Sequence, residues 1–142
     1  MKTYDSKNIN QVLLLKNKPF SWKARFKSFR YAWDGIKALL KTEHNAWIHL
    51  GATIAVVLLS IEFSITSTEA IALIIAIALV WMAELFNTAI EKSIDFVSTE
   101  IHPQIRIIKD LSAAAVFITA IAAACIGLII FIPKIIIYVQ TI

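Results

Sequence analysis

The sequence is short of almost everything that a cross-linked, loop-rich or secreted domain is made from. Its one cysteine, Cys125, rules out a disulfide framework and a cysteine metal cluster. Cys125 lies in an apolar run, where a small packing role is expected. Three glycines and three prolines in 142 residues leave little material for turns and argue against disorder. Charged residues make up only 17% of the chain. No secretory signal pattern is visible, because the early apolar patch Val12 to Leu15 is too short for an h-region. What remains is hydrophobic: 58% of residues, with a mean hydropathy of +0.72. That is above the usual apolar share of a soluble domain, and the length suits one domain.

The apolar residues gather into three runs near the ~20 residues needed to cross a bilayer as a helix. The first covers about 46–65, interrupted by His49 and Glu62. The second covers about 70–90 and carries Glu84 and Asn87 in its last third. The third covers about 111–132, with Pro133 and Lys134 expected to close it. The link between the first two is short, which implies a tight hairpin. The predicted fold is therefore an all-α membrane protein.

Positive charge is distributed unevenly. Ten of the fourteen Lys and Arg lie at or before Lys41, and none lies between the first two runs. Lys92, Arg106 and Lys109 fall between the second and third runs, and Lys134 is the last. The positive-inside rule then predicts a multi-pass protein of the inner membrane. The N-terminus and the 92–109 connection would lie in the cytoplasm, and the hairpin tip and C-terminus outside. The net charge of +4 is thus mainly topology, and no nucleic-acid partner is expected.

Residues 21–42 form a different object. Trp22, Phe26, Phe29, Trp33, Ile36 and Leu40 recur at spacings of three and four, drawing one apolar stripe along a helix. Lys and Arg occupy its other faces. A helix lying in the membrane interface suits this pattern, and packing on a partner is the alternative. Residues 1–20 show little periodicity and are expected to be a flexible segment ahead of a single domain over 21–142.

The densest chemistry lies at the end of the second run. Glu84, Asn87, Glu91 and Asp95 sit at offsets of 0, 3, 7 and 11, which places them on one helix stripe roughly 80° wide. Carboxylates are costly inside a membrane and generally face a protein interior or a wet cavity. The plainer alternative is interhelical hydrogen bonding that only holds a bundle together. A proton-coupled transporter would also place a Glu in a span.

A cytoplasmic acid cluster can bind a divalent cation and, through it, a polyphosphate. Mg²⁺ is usually held by one or two carboxylates plus phosphate oxygens. Glu91 is placed to be one ligand and Glu43, at the junction of the surface helix with the first run, the second. Soluble kinase signatures are absent: there is no G-x-x-x-x-G-K-[ST] and no G-x-G-x-x-G, and Gly35, Gly51 and Gly127 stand alone. Side chains and metal would have to carry the phosphate charge. Lys109 and Asp110 open the third run at the same depth. Each has an ordinary alternative, snorkelling for the lysine and helix capping for the aspartate. His44 and His49 are five apart, so a helical zinc pair is not expected, and His49 reads as a hydrogen-bonding residue of the bundle.

Over roughly 25–135 the chain resembles the prokaryotic diacylglycerol kinase family. The resemblance is carried by Phe29-Arg30-Tyr31-Ala32-Trp33-Asp34-Gly35-Ile36-Lys37 and by Glu43-His44-Asn45. It continues through Glu84-x-x-Asn87-Thr88-Ala89-Ile90-Glu91-x-x-x-Asp95 and Ile108-Lys109-Asp110. The resemblance implies a homotrimer of a surface helix and three spans per protomer, transferring the γ-phosphoryl of MgATP to a lipid alcohol. It makes Glu43 and Glu91 the metal ligands, Glu84 the general base and Asn87 its neighbour in catalysis. It assigns Tyr31, Glu43, Glu91, Asp95, Glu100, His102, Lys109 and Asp110 to the nucleotide. Arg25, Trp33, Lys37 and Glu84 would meet the lipid. Two departures stand out: the early basic position matches Arg25 only in a loose register, and Pro103 is expected to reshape the connection that follows His102. The acceptor is expected to be diacylglycerol, with undecaprenol as the alternative.

Overall fold

The computed structural model describes residues 21–97 and 102–141, and the segment at 1–20 lies outside them. Four helices follow one another: α1 (Trp22–Thr42), α2 (His44–Glu62), α3 (Ser67–Val97) and α4 (Pro103–Thr141). The chain divides into two compact units at Gly35, so that α1 begins in the first unit and ends in the second.

The described part of the first unit is the leading portion of α1. Trp22, Phe26, Phe29 and Trp33 are exposed along it. Lys27 and Arg30 hold their cationic groups 5.7 and 5.9 Å from the centre of the Tyr31 ring.

In the second unit, α2, α3 and α4 are each long and apolar enough to cross a membrane, with mean hydropathies of 1.4, 2.2 and 2.8. At 1.5 Å per residue α3 is about 46 Å long and α4 about 58 Å, both well beyond the ~30 Å hydrocarbon core. Side-chain hydroxyls inside the spans fold back on the helix: Thr53 donates to the His49 carbonyl, Ser60 to Val56 and Thr119 to Ala115. That removes a lone polar group from lipid without a partner helix.

The α2–α3 hairpin turns through Ser64, which takes a left-handed φ of 45°. Thr66 and Glu69 then form a capping box: the Thr66 amide and hydroxyl donate to Glu69 Oε2, and the Glu69 amide donates to the Thr66 hydroxyl. Beside this hairpin sits the apolar cluster of Leu73, Ile130 and Phe131, joined by Val56, Phe63, Ile65, Ala72 and Ile126.

Pro133 does not end the third span. The helix passes through it and runs on to Thr141. The missing amide costs a hydrogen bond, but in an apolar setting any non-helical continuation would orphan several more. The segment beyond the proline is also tied down. Lys134 Nζ reaches Glu69 Oε2 at 3.2 Å, and the Tyr138 ring meets Phe63 edge-on at 6.0 Å. Pro103 opens α4 as its first residue, where the absent amide is no loss. Cys125 is exposed on α4 and not packed within the protomer.

Two sets of cross-helix contacts fix the register. On α2 and α3, Glu43 meets Lys92, His49 meets Glu84 and Thr53 meets Trp81, an antiparallel order. On α3 and α4, Asp95 meets Lys109, Asn87 meets Ser112 and Glu69 meets Lys134. Both helices are thereby aligned on α3.

Candidate active site

The α3 stripe that begins as core at Leu73, Ala76 and Val80 becomes polar without leaving the interior: its next buried members are Glu84 and Thr88. Glu84 is 2% exposed. A carboxylate so placed is costly unless partnered. Its polar neighbour is His49, whose Nε2 lies 3.9 Å from Glu84 Oε2. Glu43 is tied to the same helix through Lys92, the residue that follows Glu91. Glu91 lies about 10 Å farther along α3, toward the Glu43 end.

Asn87 is held by a two-sided link. Its Nδ2 donates to Glu91 Oε1 at 3.1 Å, and its Oδ1 accepts from the Ser112 hydroxyl at 2.7 Å. Ser112 is buried and also lies 2.9 Å from the Lys109 carbonyl. Asn87 therefore orients Glu91 and does not hydrogen-bond Glu84, although both residues line the same cleft. Glu43 Oε1 is approached by the Thr42 hydroxyl at 2.8 Å and by Lys92 Nζ at 3.4 Å. In both Glu43 and Glu91 these contacts fall on Oε1.

Lys109 Nζ is 2.6 Å from Asp95 Oδ1, joining α3 to α4. Asp110 does not cap α4, which starts seven residues earlier. It pairs at 3.6 Å with Arg106, one turn back, in an exposed position. His102 is the capping residue: its Nδ1 accepts from the Gln104 amide at 3.2 Å. Lys37 belongs to the second unit, while Arg25, Tyr31 and Trp33 belong to the first. Glu100 lies outside the described residues.

Two hollows meet here. A cleft of about 240 Å³ is lined by Asn45 and His49 of α2, Glu84 and Asn87 of α3, and Ala113, Val116, Phe117 and Ala120 of α4. It shares Ile48, His49 and Ala120 with an apolar groove of about 570 Å³. Residues of α3 from Leu73 to Trp81 form the floor of that groove. Its walls are Ile48 to Leu59 of α2 and Ala120 to Ile135 of α4. The α4 wall covers about 22 Å along the helix axis, comparable with an extended lipid chain.

Sequence reasoning placed the acidic stripe but missed two residues and one pairing. Ser112, the buried Thr88 hydroxyl, which has no hydrogen-bond partner among the described residues, and the meeting of His49 with Glu84 each depend on cross-helix packing. The only local hint for Ser112 was a lone hydroxyl among alanines three residues after Lys109.

Among the described residues no three His, Cys, Asp or Glu side chains form a protein-only metal cage. A hard cation such as Mg²⁺ is usually held by only one or two carboxylates, with phosphate oxygens and water completing its shell.

The sequence matches the prokaryotic diacylglycerol kinase family over residues 30–131. The chain is 36% identical to an undecaprenol kinase of Bacillus subtilis over 109 residues, 77% of this chain and 89% of that protein. It is 35% identical to a diacylglycerol kinase of Synechocystis over 107 residues, 75% of this chain and 61% of that protein. With a diacylglycerol kinase of Helicobacter pylori it shares 34% identity over 102 residues, 66% and 73% of the respective chains. The acidic α3 stripe, the three helices able to span a bilayer and these matches agree, and the chain belongs to the prokaryotic diacylglycerol kinase family of membrane lipid kinases.

Proposed function

We propose that the protein transfers the γ-phosphoryl group of MgATP to the primary hydroxyl of diacylglycerol, giving phosphatidic acid. The observation that carries this reading is Glu84: a buried carboxylate at the junction of a polar cleft and an apolar groove long enough for a lipid chain. The acceptor hydroxyl would enter at Glu84 with its chain in the groove, while the triphosphate arrives from the Glu43 and Glu91 end.

In this mechanism Glu84 accepts the hydroxyl proton as the oxygen attacks the γ-phosphorus and the bond to ADP breaks. Glu43 and Glu91 would hold Mg²⁺, which when bound neutralises charge on the phosphate oxygens. Asn87 keeps Glu91 aimed, through the link to Ser112. Lys109 and Asp110 would contact the nucleotide, with Asp95 holding the Lys109 ammonium. Phosphoryl transfer demands mainly position and charge neutralisation, which this set supplies without a glycine-rich loop. Tyr31, Glu100 and His102 as nucleotide contacts, and Arg25, Trp33 and Lys37 as lipid contacts, rest on the family resemblance.

The same reading includes a homotrimer, which rests on the family resemblance, in the inner membrane with the N-terminus in the cytoplasm and the C-terminus outside, an orientation supported by the bias of Lys and Arg. A second acceptor, undecaprenol, is favoured by the likeness to the B. subtilis enzyme of that name. The test is purified protein in mixed micelles with labelled ATP, Mg²⁺ and both lipids in competition. Labelled phosphatidic acid is expected with wild type and must nearly vanish with Glu84→Gln or Glu91→Gln at unchanged melting temperature. Labelling that survives both substitutions rejects the assignments, and label on undecaprenol alone selects the second acceptor.

A further inference from the structure

A base that takes a proton in each turnover must also release it, and Glu84 is poorly placed to do so directly. Its side chain is 3% exposed, whereas that of His49 beside it is 16% exposed. The next polar group outward from the carboxylate is therefore the imidazole, which lines both the cleft and the groove. The 3.9 Å between Nε2 and Oε2 is within reach of a small torsional movement or one bridging water.

The backbone holds His49 in this place. Its carbonyl accepts the Thr53 hydroxyl at 2.7 Å, and the Thr53 oxygen accepts Trp81 Nε1–H at 3.1 Å. Thr53 lies four residues beyond His49 on α2, and Trp81 three residues before Glu84 on α3. This second rung of the antiparallel pair keeps the His49 turn opposite the Glu84 turn. Other charges facing the pair are already engaged: Glu43 with Lys92, and Glu91 with Asn87. At the cleft α4 contributes Ala113, Val116, Phe117 and Ala120, none of them titratable.

We propose that His49 is a positioning residue that aims Glu84 at the acceptor hydroxyl and carries the abstracted proton from Glu84 to the water of the cleft. The inference rests on the lipid kinase reading with Glu84 as base. The balance is complete. The acceptor O–H bond breaks and its proton moves to Glu84 Oε2. The oxygen forms the new bond to the γ-phosphorus, and the electron pair of the broken bond stays on the β-phosphate oxygen of ADP. The proton then passes to the free Nε2 lone pair of neutral His49, and imidazolium releases it to water. Imidazole can accept a proton on one ring nitrogen and donate from the other, which suits it to pass a proton onward.

The experiment compares wild type, Glu84→Gln, His49→Gln and His49→Ala in mixed micelles with ATP, Mg²⁺ and diacylglycerol or undecaprenol. The melting temperature of each variant is measured alongside. For both His49 variants kcat is expected to fall by about 10- to 100-fold. The KM for ATP stays within about twofold, because triphosphate binding is not touched. Added imidazole restores turnover to His49→Ala in proportion to its free base, and not to Glu84→Gln. A His49→Gln enzyme with wild-type kcat overturns the inference, as does a folded, slow His49→Ala enzyme that imidazole does not accelerate. Should His49→Ala not fold, the kcat of the near-isosteric His49→Gln decides alone. Failures at different levels are distinguishable: a wild type that phosphorylates neither lipid defeats the kinase reading, and an active Glu84→Gln defeats the base assignment.

Discussion

Removing the Asn87 side chain tests how the metal-binding carboxylate is held. Asn87→Ala deletes the donor at 3.1 Å from Glu91 Oε1 and the acceptor at 2.7 Å from the Ser112 hydroxyl. The two losses differ in weight. Ser112 keeps the Lys109 carbonyl at 2.9 Å and is not orphaned, so that side costs little. The bond to Glu91 is charge-assisted, and such bonds contribute about 1.5–3 kcal/mol net. If Glu91 binds Mg²⁺, freeing it should raise the half-activating Mg²⁺ concentration by about 10- to 100-fold, at 1.4 kcal/mol per factor of ten. The same range is typical of partners that orient metal-ligating side chains. The assay is initial rate against free Mg²⁺ at fixed ATP and lipid. Ser112→Ala, which severs only the far side of the link, should shift the curve by less. A half-activating concentration within about twofold of wild type for Asn87→Ala would refute the reasoning and move Asn87 from metal positioning to the chemical step.

Other outcomes follow from single contacts. Lys109→Met breaks a pair with Asp95 whose members are partly exposed, so melting should barely move while the KM for ATP rises about tenfold or more; lost stability at unchanged KM would mark Lys109 as structural. Thr88→Val removes, at constant shape, a buried hydroxyl without a partner among the described residues and should stabilise by about 1 kcal/mol in thermal or denaturant unfolding, the opposite sign pointing to a partner supplied elsewhere. Ile130→Ala, in the apolar cluster beside the hairpin but outside the groove lining, should cost about 2–5 kcal/mol with kcat unchanged in the folded fraction, and a selective fall in kcat would contradict the separation of that residue from the chemistry.

The sequence was most legible where structure is local. The stripe of Glu84, Asn87, Glu91 and Asp95 follows from helix geometry alone, and the hairpin from the short link without basic residues. What was hidden depends on register between helices. Nothing within α3 says that Asn87 turns to Ser112, or that Glu84 meets His49, because those pairs arise from how two antiparallel helices slide to match. His49 was read only as a bundle hydrogen-bonder, and its carboxylate partner lies 35 residues away. Pro133 misled for a related reason. Proline ends helices in water, where the freed carbonyl finds solvent, but the surroundings of α4 offer no such partner and the helix continues.

The molecule weights its two kinds of adhesion differently at its two ends. Around the hairpin aromatic rings and aliphatic bulk dominate, from Phe63 through Phe131 to Tyr138, beside the ion pair of Glu69 with Lys134. Toward the far end of α3, from Glu84 to Asp95, it is fastened by amide, hydroxyl and charge. Cluster residues that meet neither hollow, such as Phe63 and Ile130, are therefore the places where selection or engineering can harden the bundle against heat or detergent while the other extremity remains free to diverge in the alcohol it phosphorylates.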